Sequence, residues 1–451
     1  MKQLWMLLIV LVIALTGCTQ KKDSIDNALD NNSSTDVHEE TEKPKDSLEV
    51  MKDWAILNGE EINEGQSDFS FLQEVLKDKR FIFLGEDAHG VREFHKIKTD
   101  LIQYLHEELD FDVLVFESGM AETSNVFETD APVTEKMKHS LYPVWHSEEI
   151  EVLYQYMEEQ KSSLDPLFLT GIDVQHVSKF YGGYLSDKLA HHNQNMAELI
   201  LATEDGYAEF NKKYYLERLY DLALKTKLIK NYEELIDYIK SNKEMENDET
   251  FNSDLQVKAL EGRIHYLETF KEIPDKQESV DIEQMKLRDQ IMAQNAAWLI
   301  QEKFPDKKIM FWAHNAHIRK ANTKIEQSTS KFPTIESFVE LLPESILKES
   351  YILGLNMGTG TIANSTDLSK IQLTPKQKGT LEWLLAQGNG EITFYHLLDY
   401  TNTEENAWLF EPIPSYHHGY VWEKFTVAEQ FDGIIFVEDV TPPKYLDLYK
   451  E

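Results

Sequence analysis

The chain has 451 residues, 45 of them Lys or Arg and 80 Asp or Glu, which gives a formal net charge of −35. That surplus argues against nucleic acid as a partner and against docking on an anionic membrane through a basic surface, because both need a clustered positive field. Apolar residues at 41% and aromatics at 11% supply a substantial core for one large domain or two ordinary ones, and a single cysteine, Cys18, excludes a disulfide framework and any cysteine-based metal site.

Met1 and Lys2 precede an apolar run from Leu4 to Leu15. The run is too short for a permanent bilayer span and suits the core of a signal peptide. It ends in Leu15-Thr16-Gly17-Cys18, which resembles a bacterial lipobox. Small residues before the cysteine fit the signal peptidase, and the thiol is then lipidated. Residues 1–17 are therefore expected to be a lipoprotein signal peptide, with Cys18 as the lipidation site. Residues 18–49 are polar and charged, with Asn31-Asn32-Ser33-Ser34 among them, and read as a flexible tether. The expected location is the outer face of a bacterial membrane, held by the lipid. An ordinary cleaved signal or an uncleaved anchor is the plainer alternative.

From residue 50 to 451 the body alternates strand and helix. Apolar runs recur at Phe81–Leu84, Val113–Phe116, Leu167–Leu169, Ile309–Trp312, Tyr351–Leu353 and Gly433–Val437. Continuous runs of this length suit strands buried on both faces, as in a mostly parallel sheet covered by helices. Between the first two, Ile97, Leu101, Tyr104, Leu105 and Leu109 share one helical face, which makes a βαβ unit. From about 182 to 299 the pattern is long and helical and reads as an insertion, with a polar loop from Glu244 to Ser253. The stretch from Gln372 to Tyr420 resists assignment. Its Trp383, Phe394-Tyr395-His396 and His417-His418 point to a packed or substrate-facing excursion.

Several strand ends carry chemistry. Gly85-Glu86-Asp87-Ala88-His89-Gly90 follows the first run, and its glycines let the backbone turn sharply. Glu86 and His89 are three residues apart, close enough for the carboxylate to orient the imidazole and support its cation. Val91 stands where a phosphate loop needs Lys, so phosphate cradling is rejected. The bland reading is a histidine that caps the next helix. Trp312-Ala313-His314-Asn315-Ala316-His317 follows another run, and histidines at this spacing can reach one metal or one substrate; bonding to backbone at a helix start is equally plain. Glu117 and Asp173 close two further runs, where a carboxylate is costly unless paired or used. Arg288-Asp289 reads by itself as a surface ion pair. His89, Glu117, Asp173 and His314 each sit at the end of a separate strand, and in a parallel sheet those ends share one edge.

At this point the sequence resembles the erythromycin esterase family. The matching segments are Leu84–Gly90 with Arg92-Glu93-Phe94, Phe111–Glu117, Gly171–Gln175, Arg288-Asp289 with Met292, Trp312–His317 and Phe431–Phe436. They run in family order over nearly the whole body. The resemblance implies an α/β core with a helical insertion and a deep cleft, and hydrolysis of a macrolide lactone ester by a His-activated water. It implies His89 as general base, with Glu86, Glu117, Arg288 and His314 as catalytic partners. His317, Lys98 and Asp173 are then substrate-binding. Lys98 stands where some members carry Arg, so it keeps the charge but lacks the bidentate fork.

Three functions are open. The leading one is an ester hydrolase without cofactor or metal, acting on a small-molecule ester or macrolide-like substrate. The chain has no Gly-x-Ser-x-Gly elbow, and Cys18 is spent on the anchor. The second is a metal-dependent hydrolase using His89, His314, His317 and a carboxylate. The third is a cell-surface binding protein without turnover, for a haem-like ligand. For the anchor, Cys18→Ala is expected to abolish labelling by fatty acid; a variant that still carries lipid contradicts it.

Overall fold

The computed structural model describes residues 47–63, 69–246, 251–272, 278–327 and 334–448. The expected signal peptide, Cys18 and most of the tether lie outside the described residues. The first helix, Ser47–Asn58, begins inside the stretch assigned to the tether. Among the described residues no helix is long and apolar enough to cross a membrane.

The main sheet contains β1 (Gly59–Glu61), β2 (Phe81–Leu84), β3 (Phe111–Gly119), β4 (Phe168–Asp173) and β5 (Lys308–Trp312). A two-residue β6 (Glu326–Gln327) lies apart from it, and β7 (Ser350–Ala363), β8 (Lys370–Gln372), β9 (Ile392–His396) and β12 (Gly433–Val440) complete it. The order is β1-β9-β12-β7-β2-β5-β3-β4, with β8 on the far end of β7. From β12 to β4 the neighbours are all parallel. These six strands are the six apolar runs of the sequence. The strands that the sequence did not announce pair antiparallel: β1, β8 and β9, and a small second sheet of β10 (Pro412–His417), β11 (Val421–Thr426) and β6. The fold is therefore the expected mostly parallel α/β sheet, with an antiparallel margin.

The parallel strands are apolar at every position because each face is covered. Ile82, Leu84, Leu114 and Phe116 pack into one layer with the helix Arg92–Leu109, which buries Phe94, Ile97, Leu101, Ile102 and Leu105. Phe81, Phe83, Val113 and Val115 pack into the other, with Met292, Ala293 and Ala296 of the helix Glu278–Trp298. Alternation of side chains along a strand makes this two-sided division.

Between β4 and β5 the chain is helical: Phe180–Ala190, Gln194–Tyr215, Leu222–Ser241, Lys243–Glu246, Ser253–Thr269 and Glu278–Trp298. Part of the expected loop at 244–253 is thus helix, and residues 247–250 are outside the described set. The segment has its own apolar cluster, centred on Tyr207, Phe210, Tyr214, Tyr232 and Phe270. A buried cation ties it to the sheet. Arg263, on Ser253–Thr269, donates to Val174 O at 2.8 Å, to Glu122 at 2.8 Å and to Glu204 at 3.4 Å. Tyr232 donates to Glu204 at 2.6 Å, and Tyr207 donates to Val174 O at 3.0 Å. Removing the cation alone leaves two carboxylates in a dry site. Arg263→Leu is expected to cost about 3–5 kcal/mol in chemical denaturation, the usual penalty for stranding a buried charge; a loss under ~1 kcal/mol contradicts this role.

Candidate active site

The loop after β2 continues the ladder between the neighbours of that strand. Gly85 N donates to Leu353 O, Asp87 N donates to Leu355 O, and Glu86 O accepts from Asn315 N. A Cβ on Gly85 would stand 2.0 Å from Asn315 Oδ1, and one on Gly90 would stand 2.0 Å from Ala363 O. These glycines are needed for close approach, not for the sharp turn that the sequence suggested.

Glu86 is wholly buried and has four partners. Its Oε1 takes His89 Nδ1 at 2.6 Å and Trp145 Nε1 at 3.2 Å. Its Oε2 takes Lys98 Nζ at 2.7 Å and Trp312 Nε1 at 2.9 Å. Burial opposes the charge, but Lys98 and His89 bring the Glu86 carboxyl down to about 2. Burial brings Lys98 down to about 8 against the pull of Glu86. An ionised Glu86 holds the hydrogen on Nδ1 of His89, so Nε2 carries the free lone pair. The His89 ring meets Trp145 edge-on at 4.9 Å and is 17% exposed, on the cavity wall. It does not cap the next helix, whose N-cap is Val91. Behind it, His95 Nε2 lies 2.7 Å from His89 O and Nδ1 lies 3.0 Å from Ser147 Oγ. Burial lowers His95 to about 4, so it is a neutral brace for the loop.

A second charged group flanks the cavity. Arg288 does not pair with Asp289. Its Nε and Nη2 donate to Asp173 Oδ2 at 3.0 and 2.8 Å, and Nη2 also donates to Glu117 Oε1 at 2.7 Å. Asp289 instead takes His317 Nδ1 at 2.8 Å and Phe338 N at 2.9 Å. His317 Nε2 reaches Glu117 at 3.2 Å. Burial works against the His317 cation, yet Asp289 and Glu117 carry its pKa up to about 10. Burial also opposes charge on Glu117, which His317 and Arg288 hold well below the carboxylate range. With both ring nitrogens of His317 donating, Arg288 Nη1, 3.1 Å away, contacts a fellow cation and keeps its hydrogens for another acceptor.

His314 caps the short helix Asn315–Ile318: its Nδ1 accepts from Ala316 N at 3.1 Å. Nε2 therefore holds the hydrogen and donates to Asp87 O at 3.0 Å. Its rings of contact are His89, at 5.0 Å, and His417 and His418, at 5.2 and 4.7 Å. Burial and the adjacent imidazoles push His314 well down and His418 to about 3; burial brings His417 to about 4. All three are neutral at neutral pH.

The cavity, of about 260 Å³, is lined by His89, Glu117, Trp145, Arg288, His314 and His317, by Tyr215, Tyr266 and Met285 of the helical segment, and by His417, His418 and Tyr420. The sequence brought most of this edge together. Lys98 and Asp173, expected to touch substrate, do neither: both side chains have no exposed surface and serve Glu86 and Arg288. Trp145 and Asp289 were missed. Trp145 comes from a short turn, Pro143–Trp145, with no motif around it. Asp289 was seen only as a neighbour of Arg288.

Fold and site together define a hydrolase. A family model described as erythromycin esterase matches residues 106–440, and the chain belongs to that family. It is 32% identical over 406 residues to a protein of Bacillus subtilis (strain 168) named as a hydrolase, YbfO, covering 84% of this chain and 88% of that one. It is 23% identical to the erythromycin esterase type II of Escherichia coli, over 57% of this chain and 65% of that one. Among solved structures, a succinoglycan biosynthesis protein superposes with a TM-score of 0.68 at 16% identity, over 89% and 98% of the two chains. An erythromycin esterase variant in its open conformation superposes with a TM-score of 0.59 at 18% identity, over 85% and 95%. At such identity the two structures speak for the fold alone.

The raised His317 makes a pH prediction. Its folded pKa of about 10 exceeds the ordinary 6.5, so its contribution to stability is full below pH 6.5 and is lost as pH rises toward 10. The melting temperature of the wild type should fall more steeply over that interval than that of His317→Asn. Parallel curves would contradict a charged His317.

Proposed function

We propose that the protein hydrolyses a carboxylic ester by direct attack of a water molecule that His89 activates. The observation that carries this reading is the Glu86–His89 pair: a buried, ionised carboxylate 2.6 Å from Nδ1 of a histidine that lines the cavity. Nε2 takes a proton from the water as its oxygen bonds the ester carbonyl carbon. Glu86 stabilises the imidazolium that forms, and Glu117 adds to the same field. Arg288 Nη1 offers its hydrogens to the developing oxyanion. When the tetrahedral intermediate collapses, the C–O bond to the alcohol breaks and His89 returns its proton to that oxygen. The products are an alcohol and a carboxylic acid, which releases its proton to solvent as it ionises.

Other routes fit less well. One ion shared by His89, His314 and His317 would need a lone pair on His317, whose two nitrogens both donate to carboxylates. Ser147 does pair with a histidine, but it is buried and its oxygen also accepts from Ile150 N, so it is no nucleophile. A cavity of about 260 Å³ lies under the ~300–1,000 Å³ of sites that enclose drug-sized ligands. That disfavours an enclosed haem, and it favours a small ester or the entry of only the scissile part of a larger one, a macrolide included. The lipid anchor at Cys18 stays a proposal that rests on Leu15–Cys18 alone.

His89→Asn is expected to lower kcat/KM by about 10²–10⁴-fold with the fold retained by circular dichroism and the melting temperature lowered by the loss of one Glu86 donor. The assay is product mass after incubation with simple esters and macrolides. Wild-type turnover by the folded variant refutes the assignment. Intact-mass spectra taken during turnover should show no acyl adduct on the protein, and progress curves should lack a burst; a stoichiometric acyl-enzyme sinks the direct-water route.

A further inference from the structure

We propose that His314, His417 and His418 bind one divalent transition-metal cation of the zinc class on the cavity wall beside His89. The hairpin between β10 and β11 supplies two of the ligands and the loop after β5 the third. One ring nitrogen of each lies within 4.8 Å of the others. His314 Nε2 and His418 Nδ1 are 3.3 Å apart. Two nitrogens bound to one zinc at about 2.0–2.1 Å in tetrahedral array stand about 3.3–3.4 Å apart, so this spacing suits a shared ion with little movement.

The polar groups around the cluster are poorly satisfied as protein alone. His417 Nδ1 and Asp87 Oδ1 are both buried without a hydrogen bond, 3.4 Å from each other. Buried unpaired atoms of this kind call for a partner. The single hydrogen on His314 Nε2 has two acceptors in reach, Asp87 O and His418 Nδ1. If Asp87 takes the hydrogen on His417 Nδ1, the Nε2 lone pair of that ring is left for a cation, and the carboxylate orients the imidazole from behind, as carboxylates do for metal-bound histidines.

The backbone is set for this. His418 has φ +54° and Gly419 φ +72°, so a non-glycine residue sits in the left-handed region at the hairpin tip. In an extended strand, neighbouring side chains point to opposite faces. The left-handed turn brings the His417 and His418 rings to 4.0 Å instead. Strain of this sort persists where surrounding structure holds it, often at a working site. Three neutral nitrogen ligands select zinc, copper, nickel or cobalt over magnesium or calcium, and three ligands leave a fourth position open. On loading, the His314 proton moves from Nε2 to Nδ1 and the Ala316 N–H loses its acceptor. The site shares no residue with the Glu86–His89 pair or the Arg288 group, so it stands whether or not the chain cleaves esters.

The test uses the full chain, purified without a polyhistidine tag and stripped by chelator dialysis. Zn²⁺ is titrated in competition with a chromophoric chelator, and Co²⁺ is added separately to read geometry from its visible spectrum. One Zn²⁺ per chain is expected, with an intense four-coordinate Co²⁺ band. His417→Ala and His418→Asn should each weaken binding by about 100-fold or more. Asn tolerates the left-handed turn, so an unchanged melting temperature in His418→Asn separates ligand loss from unfolding. His89→Asn should bind as the wild type does. Less than one Zn²⁺ per chain, equal affinity in the His417/His418 double variant, or a six-coordinate Co²⁺ spectrum overturns the proposal.

Discussion

Glu86 carries its charge with none of its side chain in water. A bare carboxylate in that position would cost several kcal/mol, so the surroundings must replace its hydration completely. They do so with four donors from four places: His89 in its own loop, Lys98 on Arg92–Leu109, Trp145 in the turn before Glu148–Gln160, and Trp312 at the end of β5. Each donor fixes one element against the loop after β2. Lys98 lies over the Trp312 ring at 4.2 Å as well, and neither its side chain nor that of Glu86 has exposed surface. A compact ammonium suits such a sealed position, whereas a guanidinium would need partners for five hydrogens. The placement of His89 is thus a consequence of satisfying one buried charge.

The cavity lies between two charged groups that work differently. On one side a single carboxylate holds the base in one tautomer. On the other, Arg288 and His317 are balanced by Glu117 and Asp173, with Asp289 bridging to the backbone of Phe338. Asp173 never faces the cavity, but it takes two of the Arg288 N–H groups and so decides which ones remain for a substrate. Both flanking carboxylates, Glu86 and Glu117, are held in their charged form. Fixed negative charge beside His89, with a cation held opposite, suits the proposed attack of water on an ester.

The parallel strands were legible because burial on both faces leaves an uninterrupted apolar signal. The antiparallel margin was not. β10 carries two prolines in six residues, Pro412 and Pro414, and β8 has only three residues, so neither has a period to read. The site was legible as far as strand ends go, since topology alone gathers His89, Glu117, Asp173 and His314. Side-chain direction was not. Lys98 and Asp173 turn inward to partners, and His314 spends both nitrogens on backbone, all of which depend on packing that no local spacing encodes. His417-His418 stood out only as a pair; that a left-handed turn would fold both rings onto His314 has no signature in residue type.

The walls of the cavity come from other segments than its chemistry. The helical segment gives Tyr215, Tyr266 and Met285, and the hairpin region gives His417, His418 and Tyr420. These walls are nonetheless wired to the reacting groups. Val174 O takes both Arg263 and Tyr207 from the helical segment, and the residue before it, Asp173, takes Arg288. Two adjacent residues at the end of β4 therefore hold the wall and the Arg288 cation at once. Val174 is thus the point at which the helices bear on the sheet, one peptide unit from the residue that holds Arg288. On the proposed reading, a substitution in the wall far from His89 is therefore expected to act on the Arg288 group as well as on substrate fit.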